Sequence, residues 1–578
     1  MKRLVSRAAI ALAAVVAVQQ QHPRAAWAAD YYFNGDGGTG GAGTAANPYR
    51  TLTPVNSLDL NPGDNVYLSG TFNTPTGGIE LTAQDSGTAT NPVSFIGVGS
   101  SRPIINAVDS FGFKANDVDG IDLKNVNFIG SGPGSRVTNA GDPNFGLFTN
   151  NQDGVRFYTN DGDKKQRIHI DNVYVRGFGS NGIKVGADTG ASGFNDVKIT
   201  NSIVEKNQHA GVNFEGDYNQ ANRSAHTNVL ISHVRAFDTT GRANRPNEGN
   251  SGSGIVIGQV NGGVIEYSVA KNNGRECAST AGGPVGIWAW DSTNVKIQYN
   301  ESFQNGTAGH HDGGGFDLDG GVTNSVMQYN YSHANDGAGF LLAQFGGAKT
   351  FTGNVIRYNV SQNDGRKNGY GGIHAFGPIQ DTLVYNNTVF MGPAAKNQPD
   401  TRNEASAAVR FRDGSTKDIA FYNNLFVLQG ASGDPSLFDP AMLSLSSADE
   451  QSFSNNNYWR IGMGAYVNPN DPNSMNYDPL LFDIGNGGTF DDIENYRLTE
   501  LLEYTLDDGS PLIDSGLDLA ALYGIDVGLH DFYGNGPHGD EFDIGAHESL
   551  VGGPRVPEPA GLVFVGIAGA AMLRRRRR

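Results

Sequence analysis

Apolar residues alternate with polar ones in short segments that recur along the chain, and each segment ends in a small polar residue. Steps between successive copies range from 27 to 37 residues. Alternation with period two predicts strands buried on one face, whereas helical repeats would show a 3.6-residue period. The residues assigned to the shared final position are Asn172, Asn201, His233, Ser268, Asn300, Asn330, Asn359, Asn386 and Asn423. We expect these asparagines to form a hydrogen-bonded ladder with a structural role.

A second strand of the form Gly-Φ-x-Φ-x, where Φ is apolar, follows each of these segments. Its copies begin at Gly182, Gly211, Gly254, Gly286, Gly315, Gly339, Gly372 and Ala408. Short strands at a period of about 30 residues, none able to bury its apolar face alone, are typical of a solenoid. The predicted fold class is therefore all-β, a single-stranded parallel β-helix.

The two x residues of this second strand are expected to face outward. Stacked coils place equivalent residues about 4.8 Å apart. The outward pairs near the middle of the stack are Trp288 and Trp290, Asp317 and Asp319, Leu341 and Ala343, His374 and Phe376, and Arg410 and Arg412. A column that combines aromatic rings, carboxylates, an imidazole and guanidinium groups differs from an ordinary solvated face. We expect it to be the functional surface.

Asp317 and Asp319 are the predicted catalytic carboxyl groups, with His374 as a further acid or base. Residues two apart on a strand have Cα atoms roughly 7 Å apart. That separation is compatible with both retaining and inverting glycosidase geometry. Two carboxylates so close also raise the pKa of one of them, which a general acid requires.

The remaining members of the column are predicted to bind a sugar chain. Trp288, Trp290 and Phe376 offer flat faces on which sugar rings can stack. Arg410 and Arg412 are predicted to hold the carboxylate of a uronic acid by paired hydrogen bonds.

A calcium site is a further expectation, since Ca²⁺ accepts several loosely arranged oxygen ligands. The expected ligands are Asp312, Asp317, Asp319 and Asp336, where Asp312 and Asp336 each lie three residues before a strand glycine. The alternative for these two is a turn role, because aspartate side chains bond their own backbone in turns. His310 and His311 precede Asp312, but no second histidine set has convincing metal-ligand spacing.

Both ends of the chain carry the features of targeting segments. Residues 1–28 combine Lys2, Arg3 and Arg7 with an apolar run over residues 8–18 and a small-x-small site at residues 26–28, which predicts a signal peptide. The other end has an apolar run over residues 560–573 and five closing arginines, which would hold that end on the cytoplasmic side.

The composition of the chain restricts which classes of partner it can bind and how its fold can be stabilised. The formal net charge is −18 and becomes more negative once the basic ends are removed, which argues against nucleic acid as a partner. A single cysteine, Cys277, excludes an intramolecular disulfide, so the core must stabilise an exported chain.

The chain resembles the pectate-lyase-like superfamily of right-handed parallel β-helices. The resemblance rests on the repeats, on the opening segments YYFNGDGGTG, NPYRTL and PGDNVYL, and on GSPLIDSGLDL, DFYGNG and FDIGAHE near the end. It implies an N-terminal cap and first coils over residues 30–120, repeats over 121–430, and C-terminal coils and a tail over 431–553. This superfold hosts several activities, so the resemblance is specific for the fold and not for the reaction.

The last 25 residues resemble the bacterial PEP-CTERM sorting signal. Its Pro-Glu-Pro at residues 557–559, short apolar helix and arginine cluster all lie within the segment 554–578. This resemblance implies a Gram-negative cell envelope, processing by an exosortase-type enzyme, and display on the cell surface or release from it.

The predicted function is cleavage of an extracellular polysaccharide, by a monomer. Two mechanisms are open: a glycoside hydrolase that uses the carboxylate pair, which we favour, or a calcium-dependent polysaccharide lyase that binds a uronate. The alternative from another class is a non-catalytic matrix or adhesive protein, in which the tryptophans bind glycan and the acids bind Ca²⁺.

Overall fold

The computed structural model describes residues 28–551, except residues 39, 75–76, 219–223, 248, 397–403, 447–448, 491–497 and 537–541. The predicted signal peptide, apart from its final residue, and the predicted sorting segment lie outside the described residues. Within the described part of the chain, no helix has the length and apolar character needed to cross a membrane.

The described chain winds into a parallel β-helix, as predicted. Most coils contribute one strand to each of three sheets. The sheets hold 14, 13 and 12 strands and are called the first, second and third sheet in the order in which the chain visits them. Neighbouring strands within these sheets pair in parallel. The sequence patterns identified the first and third sheets, and the second sheet was not predicted.

Strands of the first sheet are Asp30–Asn34, Asn65–Ser69, Val93–Gly97, Ile121–Lys124, Lys164–Asp171, Gly193–Thr200, His226–Ser232, Val260–Glu266, Thr293–Gln298, Val326–Gln328, Val355–Arg357, Thr382–Tyr385, Ile419–Tyr422 and Gln451–Ser454. Strands of the second sheet are Thr71–Asn73, Ile104–Asn106, Asn127–Ile129, Tyr174–Arg176, Ile203–Glu205, Arg235–Phe237, Val269–Lys271, Glu301–Phe303, Tyr331–His333, Val360–Gln362, Thr388–Met391, Leu425–Gln429 and Asn457–Ile461. Strands of the third sheet are Ile79–Leu81, Phe113–Asn116, Val155–Thr159, Asn181–Ala187, Ala210–Glu215, Ser253–Gly258, Val285–Trp290, Gly314–Asp319, Phe340–Ala343, Gly371–Phe376, Ala407–Arg412 and Ala441–Ser444.

Helical structure is minor in the described chain. Its helices are the 3₁₀ turns Val55–Ser57, Ala83–Asp85, Leu498–Glu500 and Leu502–Tyr504 and the α-helix Leu519–Tyr523. A two-stranded antiparallel pair joins Ala394–Ala395 to Leu437–Phe438 outside the coils.

The core is a continuous column of apolar side chains that point inward from all three sheets. In the third sheet the Φ positions fill it: Ile287, Phe316 and Phe340 are fully buried on three successive coils. The rings of Phe316 and Phe340 stack with centroids 5.3 Å apart. Because each coil buries its apolar face against the next, the outward positions of the third sheet are held on a rigid support.

The buried asparagine ladder exists, but the alignment of the repeats placed part of it one residue too early. Along the ladder each side-chain amide donates to the amide oxygen of the next coil at 2.9–3.0 Å, and its members are Asn300, Asn330, Asn359, Asn387, Asn424 and Asn456. The predicted members Asn172, Asn201, Asn386 and Asn423 instead occupy the preceding corner, where φ lies between 51° and 53°. Asparagine suits that corner because it adopts the left-handed conformation more readily than most residues do.

The segment after the last coil returns along the side of the solenoid. Leu501 and Tyr504 pack with Tyr331 of the second sheet, and Leu519 packs on a row of tyrosines that includes Tyr329, at the corner that follows the first-sheet strands. This segment therefore covers outward residues of the first two sheets, and the site described below lies on the third.

Candidate active site

Strand register confirms the predicted outward column of the third sheet. One line of residues in register runs Trp288, Asp317, Leu341, His374 and Arg410. A second line contains Trp290 paired with Asp319 and, further along, Ala343, Phe376 and Arg412. The sequence pattern thus placed Trp288 beside Asp317 and Trp290 beside Asp319 correctly.

A cleft of about 290 Å³ lies over the tryptophan and aspartate strands. Loop residues 249–250 and 281–283 lie along it before the strands, and Phe345 lines it after the next strand. The aromatic and carboxyl side chains of its lining are Trp288, Trp290, Asp312, Asp317, Asp319 and Phe345. The cleft therefore unites three carboxyl groups with three aromatic rings.

Burial separates the two predicted catalytic carboxyl groups. Asp317 has only 3% of its surface exposed, whereas Asp319 is partly exposed and its Oδ1 accepts the Gly320 N–H at 2.7 Å. Burial, reinforced by the charges of Asp319 and Asp312, raises the pKa of Asp317 well above its ordinary value. Asp319 can therefore reach a bound molecule, while Asp317 lies in the floor of the cleft.

The pKa of Asp319 is raised to about 7, mainly by burial and further by the charge of Asp312. The hydrogen bond from Gly320 acts in the opposite direction, because it favours the carboxylate. A carboxyl group with this pKa is still substantially protonated at neutral pH, which suits a general acid.

Asp312 is the third carboxyl group of the cleft and is partly exposed. The hydroxyl of Tyr370 donates to its Oδ1 at 3.1 Å, and its own N–H donates back to that hydroxyl at 2.9 Å. Asp312 is one of the expected calcium ligands, and the sequence pattern gives no indication of Tyr370. Spacing alone could not reveal this pair, because 58 residues separate its members.

The two tryptophans differ in how much surface they offer. Trp288 is 5% exposed, and its indole N–H donates to Ser253 Oγ at 3.1 Å, so most of the ring is packing surface. Trp290 is partly exposed and packs over Gly258, where an added Cβ would lie 2.4 Å from the ring. The ring of Tyr218 lies 5.9 Å from that of Trp290. Trp290 is therefore the stronger candidate for sugar stacking.

Phe345 lines one end of the cleft, Tyr218 packs against Trp290, and neither residue was predicted. Phe345 lies against Gly320, where an added Cβ would meet the ring at 2.0 Å, so the glycine after Asp319 allows this close approach. The hydroxyl of Tyr218 donates to the Gly347 carbonyl at 3.3 Å. Both aromatic residues lie on loops, where the strand periodicity carries no information.

His374 does not line the cleft, contrary to its predicted catalytic role. Its exposed surface is 1%, its Nδ1 accepts the Gly371 N–H at 3.3 Å, and its ring packs 4.7 Å from that of Tyr370. The register puts it two strands from Asp317, about 10 Å away. The residue supports Tyr370 and cannot itself reach a substrate in the cleft.

Arg410 and Arg412 also lie away from the cleft, and both bind Glu404. The Glu404 Oε2 lies 3.1 Å from Nη1 of Arg410 and 2.8 Å from Nη2 of Arg412. Arg412 donates further to two loop carbonyl groups. A uronate would have to displace these contacts, so the arrangement does not support the predicted uronate-binding role. Phe376 is 40% exposed beside Arg412, outside the cleft lining.

The four expected calcium ligands are not brought together. Asp312, Asp317 and Asp319 line the cleft, whereas the Asp336 carboxylate accepts the Thr307 N–H at 3.2 Å and lies 3.7 Å from Arg275. Among the residues that the structure describes, no group of three or more His, Cys, Asp or Glu side chains is arranged to hold a metal ion. Calcium binding stays a prediction, and the Asp336 carboxylate contacts Thr307 and Arg275 outside the cleft lining.

Comparison with known proteins identifies one curated relative. A lacto-N-biosidase of Bifidobacterium longum is 25% identical over 481 residues, which cover 69% of this chain and 28% of that protein. The chain therefore spans less than a third of the relative's length. No family model matches the chain.

Solved structures also match the chain in part. A lacto-N-biosidase from Eubacterium ramulus, described as GH136, matches with a TM-score of 0.47 and 17% identity over 68% of each chain. The pectate lyase Pel9A matches with a TM-score of 0.42 and 16% identity over 90% of this chain and 96% of its own.

Proposed function

We propose that this chain is a glycoside hydrolase that cleaves an extracellular glycan built of neutral sugars. The observation that carries the proposal is the grouping of Asp312, Asp317 and Asp319 with Trp290 in one cleft. Carboxyl groups in different environments are what a glycosidase needs for its two roles. The partly exposed members, Asp312 and Asp319, are the reacting pair.

Asp319 is the proposed general acid, because its raised pKa keeps a proton available for the glycosidic oxygen near neutral pH. Asp312 is the proposed second carboxyl group, acting as nucleophile or as the base that activates water. The hydrogen bond from Tyr370 stabilises the charged form of Asp312, as either role requires.

Neutral sugars fit the charge of the cleft better than uronic acids do. The described lining contains three carboxyl groups and no lysine, arginine or histidine. A uronate would bring a negative charge next to these carboxyl groups in a partly desolvated space that has no cation to balance it, which is unfavourable. A uronate-binding lyase is disfavoured for the same reason, and Arg410 and Arg412 are already paired with Glu404.

The curated relative agrees with this choice, since the name lacto-N-biosidase is that of a glycosidase. The two proteins match over only part of the relative's length, so the relative's name does not define the substrate of this chain. The identity of the neutral glycan is a question for the experiment below.

The test is incubation of the exported chain with a panel of neutral and uronic-acid glycans. We expect new reducing ends from a neutral glycan, without ultraviolet absorbance from unsaturated products. Asp319→Asn and Asp312→Asn should each lower kcat by about 100-fold or more. Asp336→Asn is the matched control outside the cleft lining and should retain activity.

Other outcomes of this panel would contradict the proposal. Unsaturated products that disappear with a calcium chelator would indicate the lyase mechanism and the calcium site. Glycan binding with no product from any member would indicate a non-catalytic matrix or adhesive protein.

Export and surface display are part of the proposal. Residues 1–28 would be removed on export, and an exosortase-type enzyme of a Gram-negative envelope would process residues 554–578. Mass spectrometry of the protein isolated from cell envelope and medium checks this, since the exported form should lack both segments. An intact mass for the whole chain in both fractions would contradict it.

A further inference from the structure

Asp317 has a buried oxygen without a hydrogen-bond partner. Its Oδ1 is inaccessible and pairs with no donor among the residues that the structure describes. The residue as a whole is 3% exposed and lines the cleft that also contains Asp319. Buried polar groups in folded proteins are nearly always hydrogen-bonded, so an unpaired one at a ligand cleft indicates a group that a ligand completes.

The surroundings of Asp317 restrict what can complete it. Its neighbours in register are Trp288 on one side and Leu341 on the other, both buried apolar side chains. The cleft is the remaining direction from which a partner can approach. Because the lining has no basic side chain, the partner is a neutral polar group and not part of an ion pair.

We propose that Asp317 is a sugar-binding residue whose carboxyl group hydrogen-bonds one hydroxyl group of the ring that stacks on Trp290. The inference rests on the proposed hydrolase function and gives Asp317 a role distinct from that of the reacting pair. A site built to hydrogen-bond a substrate hydroxyl rejects analogues that lack it, because its own buried polar group is then left unpaired. Asp317 is therefore a specificity-determining residue.

The binding test uses the full chain carrying Asp319→Asn, so that sugars bind without turnover. Methyl glycosides of neutral hexoses and their monodeoxy derivatives are titrated by calorimetry into this protein with and without Asp317→Ala. We expect Asp317→Ala to weaken binding of the best parent sugar by about tenfold or more. One monodeoxy sugar should bind equally to the proteins with and without Asp317→Ala, because the hydroxyl that this sugar lacks is the one that Asp317 contacts.

Leu341→Ala is the matched control for the gap that truncation creates. It removes a buried side chain from the neighbouring strand and takes away no hydrogen-bonding group. We expect it to lower stability while sugar affinity stays within about twofold. If Asp317→Ala leaves affinity for the parent sugar unchanged, or if every monodeoxy sugar shows the same loss, the inference is wrong.

A second variant separates binding from catalysis and covers the case in which Asp317→Ala does not fold. Asp317→Asn keeps the shape and places an oxygen and an N–H where the two carboxyl oxygens were. We expect it to lower kcat by less than tenfold, against a loss of about 100-fold or more for Asp319→Asn. If Asp317→Asn lowered kcat as much as Asp319→Asn does while sugar affinity stayed unchanged, Asp317 would be a catalytic group. If no sugar bound to the protein at all, the hydrolase proposal would be overturned as well.

Discussion

The hydroxyl of Tyr370 lies 3.1 Å from Oδ1 of Asp312 and 2.9 Å from the Asp312 backbone nitrogen. One hydroxyl group therefore holds both the side chain and the backbone of Asp312. The ring itself packs against His374, which is buried in the third sheet. Asp312 belongs to a loop, and this contact ties the loop to Tyr370, which directly precedes the third-sheet strand Gly371–Phe376. The catalytic role proposed for Asp312 therefore depends on a residue that does not touch substrate.

Replacing Tyr370 by phenylalanine should lower kcat by about tenfold and leave KM within about twofold. Loss of a donor to the carboxylate disfavours its charged form, so the pKa of Asp312 should rise. The acidic limb of the kcat/KM profile should then move to higher pH, which a purely structural role would not cause. Tyr267→Phe, in the stacked tyrosine row at the corner after the first-sheet strands, is the control and should leave the profile in place. An unshifted limb with a lower kcat would contradict the positioning role.

The basic limb of the same profile should fall near pH 7. Asp319 must carry a proton to act as the acid, and its pKa is raised to about 7 by burial and by Asp312. Activity should therefore be retained below that pH and decline above it. The measurement is kcat/KM between pH 5 and pH 9 on the neutral glycan identified by the panel. A basic limb displaced by two or more units would assign the acid to another group.

Removing the charge of Asp319 should stabilise the protein at alkaline pH. The pKa of this group is raised in the folded state, so its contribution to stability is fully present below its unfolded pKa and is lost as pH rises through about 7. Asp319→Asn removes that loss, and we expect a gain on the order of 2 kcal/mol at pH 8 and none at pH 3. Urea unfolding at the two pH values measures it. An equal effect at both values would show that the change is one of packing.

The sequence predicted the parts of the site that follow from strand register. Because every second residue of a strand faces outward, the register between neighbouring strands has few alternatives. The position of Trp288 beside Asp317 follows from that register. The same reasoning could not show which outward residues reach the cleft. Glu404, which binds Arg410 and Arg412, lies on the loop before their strand, and loop conformation is not encoded in the repeat.

The error in the asparagine ladder has a similar cause. Asparagine occupies two adjacent positions of the coil for different physical reasons: at Asn172 it adopts the left-handed corner, and at Asn300 it bonds the next coil. Because the same residue type occurs at both positions, the sequence pattern does not separate the corner from the ladder. The tyrosine that precedes Asn300 marks the true corner, since Tyr299 has φ of 56°. Backbone conformation distinguishes the two positions, since only the corner residues have positive φ, and it is not visible in the sequence.

A buried ion pair holds the loop that carries Phe345. Lys349 Nζ lies 2.6 Å from Oδ2 of Asp291, whose side chain is fully buried, and the lysine also lies over the ring of Tyr218. Lys417 and Glu450 form a pair of the same 2.6 Å length whose side chains are 42% and 61% exposed. The two pairs thus differ in burial at equal distance.

Double-mutant cycles on the two pairs should give different coupling energies. We expect at least about 1.5 kcal/mol between Lys349 and Asp291, because removing one partner leaves a buried charge uncompensated, and under about 0.5 kcal/mol for Lys417 and Glu450. Alanine replacements and urea unfolding supply the values. Lys349→Ala should also raise KM by several-fold with kcat little changed, since a loosened Phe345 weakens binding without altering the reacting carboxyl groups. Equal coupling in both pairs, or a lower kcat at unchanged KM, would show that the loop does not shape the cleft in this way.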